Sequence, residues 1–172
     1  LLGYAGVVPD KVEKGDTLHV LNTGGVIGRC TSINPEVGPP REVEVLGAIL
    51  TFPVLGERIG VPADIAQGAV PTRDDLPRCP PVIAIVGTCM NAGKTSAAAR
   101  VIKHLAKTMG KRVAAAKVTG VSLRRDTLAM MDRGACEVAD FGDAGFPSTS
   151  PGMTPRIAKG LLHKLAQGEP DC

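Results

Sequence analysis

The hydrophobic pattern of the chain changes from short runs in its first third to longer runs with helical spacing in its second half. Between residues 1 and 60, turn residues such as Gly, Pro and Asn separate four short runs that are rich in Val, Ile and Leu. These runs are Tyr4–Val8, Thr17–Leu21, Val26–Thr31 and Glu42–Ile49. We therefore predict a small antiparallel β-domain, a barrel or a sandwich, that is incomplete or continues upstream of Leu1.

A connector rich in proline follows this β-domain over residues 60–81. Its prolines interrupt regular structure, and only Ala63–Gln67 has the composition of a single helical turn. The polar stretch Thr72–Arg78 marks the boundary at which the hydrophobic pattern changes. We accordingly divide the chain into residues 1–75, which are the β-domain with its connector, and residues 76–172, which are an α/β domain.

The second domain opens with an apolar run and a helix-period pattern. Val82–Val86 is continuously apolar, which is typical of a strand that is covered on both faces. The apolar residues after Lys94 recur every three or four positions up to Gly110, as they do on the buried face of a helix. Because Arg112–Val118 is the next apolar run, the pattern predicts a parallel strand pair with a right-handed helical crossover.

Three more elements are predicted towards the end of the chain. Asp126–Arg133 has the spacing of a short helix, and Cys136–Phe141 reads as a third strand. Thr154-Pro155 starts the last helix, with Thr as N-cap and Pro in the first helical position, and Gly168 ends it. Alternating strands and helices of this kind predict an α/β fold with a parallel sheet.

The loop between Val82–Val86 and the following helix carries the strongest functional signal. A strand, a loop of small residues and a helix N-terminus follow in the order that a nucleotide phosphate site requires, and a helix N-terminus attracts anions. Gly93 lets the backbone approach phosphates closely, the Lys94 ammonium reaches their oxygens, and the Thr95 hydroxyl can coordinate Mg²⁺. We predict that ATP, or GTP in its place, is bound by Gly87, Thr88, Met90, Asn91, Ala92, Gly93, Lys94, Thr95 and Ser96.

The glycine spacing of this loop departs from the usual phosphate loop by one residue. Gly87 stands one position early, and Thr88 occupies the site of the expected glycine. In this longer form, Gly87-Thr88-x-x-x-x-Gly93-Lys94-Thr95 resembles the loop of the dethiobiotin synthetase-like group of P-loop proteins, within the class that includes MinD-type ATPases and signal-recognition GTPases. Cys89 departs from both patterns, because dethiobiotin synthetase has an acid there and MinD-type ATPases have a signature lysine.

The resemblance implies an α/β fold class with a P-loop βαβ unit and a parallel sheet, preceded here by the small antiparallel β-domain. It extends well over residues 82–120 and loosely over residues 120–172, and the β-domain has no counterpart in dethiobiotin synthetase. Members of the group have a lysine near the substrate at the end of the second strand, where this chain has Lys117. The alternative for Lys117 is a side chain that snorkels at the sheet edge.

The resemblance also bears on the end of the chain. In the resembling group, a helix such as the one predicted after Thr154 leads into an apolar strand that carries a functional acid. This chain ends at Cys172, before any such strand. We therefore expect a truncated member of the group, whose P-loop domain at residues 76–172 is incomplete at its C-terminus.

The acid that would complete a phosphate site is less evident than the loop. P-loop enzymes hold Mg²⁺ with help from an acid at the end of an apolar strand. After Thr95, no predicted strand has four consecutive apolar residues followed by an Asp, and the nearest match is Glu137–Phe141. We predict that Asp140 or Asp143 contacts metal, water or substrate at the end of this strand; otherwise both are ordinary loop acids. The candidate catalytic residues are thus Lys94, Lys117, Asp140 and Asp143.

Composition narrows the classes of partner. Aromatic residues are 2% of the chain, Trp is absent and the net charge is only +3, which together argue against a nucleic-acid partner. No apolar stretch reaches the length of a membrane span. The five cysteines form no C-x-x-C pair, which argues against zinc and suits a reducing compartment. We predict a cytoplasmic protein that binds a nucleotide and an unknown small-molecule substrate and does not bind a membrane. A homo-oligomer is a further possibility that the sequence leaves open.

Three functions remain as alternatives. The first is an enzyme that binds ATP and carries out Mg²⁺-dependent phosphoryl transfer or hydrolysis, as a small-molecule kinase, ligase or ATPase. The second is a non-catalytic nucleotide-binding module with a regulatory role, which the loop spacing and the weak second acid favour. A GTP-binding protein is a variant of either, although the chain has no Asn/Thr-Lys-x-Asp motif. The third is assembly or substrate docking by residues 1–75.

Overall fold

The chain divides into two compact units. The computed structural model describes residues 4–56, 58–89 and 92–172, and the units are Leu1–Gln67 and Gly68–Cys172. The division therefore falls ahead of the boundary at residue 75 that the sequence suggests. Backbone hydrogen bonds explain the difference: the Val70 N–H donates to the Asp143 carbonyl at 2.8 Å, and the Arg73 N–H donates to the Arg156 carbonyl at 3.1 Å.

Antiparallel strands form the first unit. Four of them make one sheet in the order β1-β3-β2-β4, and two short strands make a separate antiparallel ladder, β5-β6. The bounds are β1 Ala5–Val7, β2 Thr17–Val20, β3 Ile27–Ser32, β4 Glu42–Glu44, β5 Leu50–Thr51 and β6 Val61–Pro62. The predicted strands and their antiparallel pairing are confirmed, whereas a barrel or a sandwich stays a prediction.

The four-stranded sheet is held by a small core. Leu18 and Leu21 are its buried apolar side chains among the residues that the structure describes in this unit. Leu21 packs against the backbone of Gly6, where an added Cβ atom would lie 2.7 Å from both Leu21 methyl carbons. Glycine is thus needed at this position because a larger residue would displace Leu21 from the sheet.

The second unit is α/β. Its elements are α1 Lys94–Lys103, β7 Val113–Lys117, α2 Arg124–Asp132, β8 Ala135–Asp140 and α3 Thr154–Ala166, and a π-helical turn, His104–Thr108, extends α1. β7 and β8 pair in parallel, with Lys117 opposite Asp140 at their carboxyl ends. Because α2 connects two parallel neighbours, β7-α2-β8 is a βαβ unit.

Helices cover both faces of the β7–β8 pair. On one face, α3 contributes Ile157 and Leu161 to a core that also contains Phe141 of the turn after β8. On the other face, α1 and α2 bring Ile102 and Met130 against Val113 of β7. The apolar spacing therefore predicts the buried face of α3 and the burial of Ile102 on α1, whereas Ala97 and Met109 of the same apolar pattern are exposed.

The predicted strand at Val82–Val86 is wrong. The structure assigns no strand to these residues, and Val82, Ile83 and Val86 are 57%, 53% and 87% exposed. An apolar run reflects a tendency to be buried, but a strand also needs a neighbouring edge that satisfies its N–H and C=O groups. The parallel pair that the structure contains is β7–β8, crossed over by α2 rather than by α1.

The start of α3 differs from its prediction in one detail. The helix begins at Thr154, as predicted, with proline in its first turn, but the N-cap is Met153 rather than Thr154. The Thr154 hydroxyl instead donates to the Ser150 carbonyl at 2.8 Å. A Thr side chain can bond the preceding turn as readily as it caps a helix, so sequence alone does not distinguish the two arrangements.

Candidate functional site

The loop before α1 closes around the side chain of Lys94. The Lys94 Nζ donates a hydrogen bond to the carbonyl oxygen of Cys89. The aliphatic part of Lys94 crosses Gly87, where an added Cβ atom would lie 3.1 Å from Cγ and 3.2 Å from Cδ. Glycine at position 87 therefore gives the lysine room to fold back into the loop. Met90 and Asn91, both predicted to bind nucleotide, lie outside the residues that the structure describes.

The N-terminus of α1 has no side-chain cap. Gly93 is the N-cap residue, with φ 84° and ψ 8°, a left-handed conformation that favours glycine. The first helical hydrogen bond runs from the Ala97 N–H to the Gly93 carbonyl at 2.9 Å, so the N–H groups of the preceding turn have no partner within the helix. No acidic residue lies in this first turn. The positive end of the helix is consequently not neutralised by its own side chains.

The remaining loop residues differ in exposure. Thr95 is half-buried in the first turn of α1, beside the half-buried Lys94. The exposed predicted ligands are Gly87, Thr88, Ala92, Gly93 and Ser96. The loop thus presents two side-chain hydroxyls, those of Thr95 and Ser96, directly after the lysine.

Lys117 is paired inside the protein. At the carboxyl end of β7, its Nζ donates to the carbonyl oxygen of Val121 and forms an ion pair with Asp126 of α2. The two charged side chains are 14% and 15% exposed, so the pair is largely shielded from water. The alternative of a lysine that snorkels at a sheet edge does not fit this contact, because the ammonium is bound by a carboxylate.

Asp140 is buried and its carboxylate is hydrogen-bonded on both oxygens. It is 7% exposed; Oδ1 accepts from the Gly142 N–H at 2.7 Å and Oδ2 accepts from the Ser122 hydroxyl at 2.9 Å. The Asp140 N–H donates to Asp143 Oδ2 at 2.8 Å, and the Asp143 N–H donates to the Asp140 carbonyl at 3.0 Å. The two predicted acids therefore lie together, and they hold the turn that ends β8.

The structure brings Lys117, Asp140 and Asp143 to one edge of the sheet, the carboxyl ends of β7 and β8. The C-terminal turn of α1 lies at the other end of β7, because the Lys111 N–H donates to the Leu105 carbonyl at 3.0 Å just before that strand. Across the described part of this unit, no hydrogen bond or ion pair joins the loop to the acids.

An open groove lies beside this edge, between the segment after β7 and the start of α3. Its volume is about 520 Å³. It is lined by Thr119, Thr149, Ser150, Pro151, Thr154, Pro155 and Ala158. Ligands of α/β sheets bind beyond the carboxyl ends of the strands, which is where this groove lies.

Sequence reasoning missed two residues of this region, Ser122 and Asp126. Ser122 lies in an irregular segment that carries no motif. Asp126 lies in the first turn of α2, where an acid is expected simply to stabilise the helix dipole. Its partner Lys117 is nine positions earlier in a different element, and no local pattern signals that pairing.

Comparisons with protein-family models, with curated proteins and with solved structures find no match for this chain. The resemblance to the dethiobiotin synthetase-like group therefore rests on the sequence pattern alone, and what it implies is a proposal. Of the residues with described coordinates, no helix has both the length and the apolar character of a membrane span. No group of three or more His, Cys, Asp or Glu residues in the same part of the chain could hold a metal ion.

Proposed function

We propose that this protein binds a nucleoside triphosphate, with ATP as the preferred ligand, through the loop and the first turn of α1 at residues 87–96. The proposed reaction is Mg²⁺-dependent phosphoryl transfer or hydrolysis, as in a small-molecule kinase, ligase or ATPase. One observation carries the proposal: the Lys94 ammonium is folded into the loop, where its acceptor is the uncharged Cys89 carbonyl, at a helix N-terminus without a side-chain cap.

The chemistry of this arrangement favours an anion. A hydrogen bond from an ammonium to a phosphate oxygen is charge-assisted and about twice as strong as one between neutral groups. Lys94 therefore gains by exchanging the Cys89 carbonyl for a phosphate. The N–H groups of the first turn and the helix dipole add to that attraction, and no carboxylate in the turn opposes it. These features support a P-loop as the finer class of the second unit.

Mg²⁺ fits the same site with few protein ligands. This ion usually keeps several waters and binds through one or two protein groups together with substrate phosphates. The Thr95 hydroxyl, in the first turn beside Lys94, is the proposed protein ligand. Asp143 is the better of the two acids as a further contact, because it is exposed whereas Asp140 is buried with both oxygens occupied. A bound Mg²⁺ would supply charge neutralisation for the phosphates.

The acceptor substrate is proposed to occupy the groove beside α3. Hydroxyl groups of Thr119, Ser150 and Thr154 line it and offer hydrogen bonds, whereas its proline and alanine residues offer apolar contact. Lys117 can contribute to such a site only when its ammonium leaves Asp126, because the ion pair now occupies it. Use of Lys117 by the acceptor substrate thus requires that the Lys117–Asp126 ion pair opens, whereas phosphate binding by the loop does not.

A titration tests the proposal. Isothermal titration calorimetry of the wild-type chain with ATP and Mg²⁺ should give a saturable signal, and Lys94→Ala should weaken the affinity at least tenfold. Lys103→Ala is the matched control, since this exposed lysine lies at the other end of α1 and should leave affinity unchanged. Circular dichroism confirms that both variants are folded. Equal affinity of Lys94→Ala and the wild type would contradict the proposal, as would no ATP binding by the wild type.

A non-catalytic nucleotide-binding module is the second candidate. The hydrogen-bonded carboxylate of Asp140 and the internal pairing of Lys117 favour it, because these two of the four candidate catalytic groups are engaged in holding the fold. The two candidates differ in turnover: ADP formation from ATP with Mg²⁺ supports the enzyme, whereas tight binding without ADP formation supports the module. Parallel titrations with GTP decide between the nucleotides.

A further inference from the structure

An apolar surface lies around the β5–β6 ladder of the first unit. Nine large apolar side chains between residues 46 and 65 are exposed, from Val61 at 37% to the fully exposed Leu55. We call them the ladder surface: Leu46, Ile49, Leu50, Phe52, Val54, Leu55, Ile59, Val61 and Ile65. A protein that works alone in water rarely presents so many apolar side chains within one short segment.

The ladder is poorly supported by its own contacts. Each strand has two residues, and no residue described between positions 46 and 65 is buried. Leu50 and Phe52 share one face, because a Cβ atom added at Gly60 would lie 2.9 Å from Leu50 Cβ and 3.2 Å from Phe52 Cε1. A two-stranded ladder is marginally stable in water unless its apolar face packs against something. We therefore expect another apolar surface to pack against the ladder surface.

We propose that the ladder surface is the interface with a second copy of this chain. Burying an aliphatic or Phe side chain removes about 60–120 Å² of apolar area. At their exposure, which averages about two thirds, the nine side chains offer about 350–700 Å². Each copy in a stable dimer contributes about 800 Å², of which about 65% is apolar, so about 500 Å² is needed. The total exposed apolar area of these side chains is therefore of the size that one copy of a stable dimer buries.

The charge pattern selects a second copy as the occupant. From Leu46 to Ile65 the sequence contains three charged residues, Glu57, Arg58 and Asp64. An apolar surface with so little charge is complementary to itself, which a twofold interface between identical chains requires. A lipid surface is a poorer partner, because membrane-binding segments combine apolar residues with Lys, Arg and Trp, and this segment has no Lys and no Trp.

Sedimentation velocity on the full chain over a concentration series tests the proposal. The wild type should be a dimer that dissociates on dilution. Leu55→Glu should raise the dimer dissociation constant at least tenfold, because two buried carboxylates would face the twofold partner. Leu55 makes a suitable probe, since a fully exposed side chain contributes little to folding of the monomer. Ile59→Glu, at a second well-exposed position, should have the same effect.

Val37→Glu is the matched control. Val37 is exposed in the same unit but lies in the turn between β3 and β4, away from the ladder, so this variant should dimerise like the wild type. A wild type that stays monomeric at every concentration would overturn the proposal, as would a dimer that Leu55→Glu and Ile59→Glu leave intact. Co-sedimentation of a monomeric wild type with phosphatidylcholine vesicles would replace the second copy with a lipid surface. None of these outcomes depends on nucleotide binding.

Discussion

The loop before α1 and the turn after β8 hold their charged groups in opposite ways. Lys94 donates to the uncharged carbonyl of Cys89 in an exposed loop, whereas Asp140 is buried and each of its carboxylate oxygens accepts a hydrogen bond. A charged group with a neutral partner gains from a ligand of opposite charge. A buried carboxylate that already accepts a hydrogen bond on each oxygen gains less from exchange and stabilises the fold instead. We expect substitutions in these two regions to separate binding from stability.

Asp140→Ala should have the largest effect on stability. The substitution leaves the Ser122 hydroxyl and the Gly142 N–H without their acceptor in a buried turn, at a cost of about 2–4 kcal/mol in the free energy of unfolding. Urea denaturation of the variant and the wild type measures this loss. Asp132→Ala, an exposed acid at the end of α2, should leave stability unchanged. A loss for Asp140→Ala no larger than for Asp132→Ala would show that the turn does not depend on this carboxylate.

Gly142→Ala should cause the next largest loss of stability. The new methyl group would lie 2.8 Å from Asp140 Oδ1 and 3.0 Å from Ser122 Oγ, so the turn must shift, at about 1–3 kcal/mol. Gly152→Ala is a matched control, because an added Cβ there meets nothing within 4 Å. Thermal or urea denaturation that ranks the two variants equally would contradict the tight packing of the Asp140 turn.

Asp126→Asn should have a smaller effect on the free energy of unfolding. It removes the negative partner of Lys117 but keeps the size of the side chain, and the pair retains some contact with water, so we expect a loss of about 1–2 kcal/mol. Glu13→Gln removes one partner of an exposed ion pair with Lys11 and should cost nothing measurable in urea denaturation. If the two substitutions cost the same, the Lys117–Asp126 pair contributes no more than a surface pair.

Gly87→Ala should barely change stability but should weaken nucleotide binding, and it therefore separates binding from stability most clearly. The new methyl group meets the flexible stem of Lys94 rather than backbone, so the free energy of unfolding should fall by less than about 0.5 kcal/mol. Because Lys94 is displaced from the loop, ATP affinity measured by calorimetry should fall severalfold. An unchanged affinity would mean that the folded-back position of Lys94 does not matter for the ligand.

Local patterns predicted the elements of the fold well. The four strand segments of the first unit, the helix after Gly93 and the start of α3 all carry signals within a few residues: turn chemistry, apolar spacing or a proline at the first turn. The structure confirms each of them within a few residues. The antiparallel strands of the first unit and the α/β character of the second were predictable for the same reason, although the parallel pair is β7–β8 rather than the predicted one.

Long-range pairing was not predictable in the same way. Val82–Val86 has the composition of a buried strand and is exposed, because which strands pair depends on the rest of the sheet. Lys117 was singled out by its place at a strand end, but its partner Asp126 and the contact of Ser122 with Asp140 join elements that have no common pattern. The phosphate loop could be predicted because its residues are consecutive.

The folded-back position of Lys94 also has an entropic consequence. A lysine that becomes ordered loses about 1.5–2 kcal/mol of rotamer freedom. In this protein much of that loss occurs when the chain folds, since the side chain already lies across Gly87 and against the Cys89 carbonyl. An anion that takes over the ammonium would meet a side chain that is already ordered. Binding of the anion would therefore lose less side-chain entropy than binding by a lysine that samples all its rotamers.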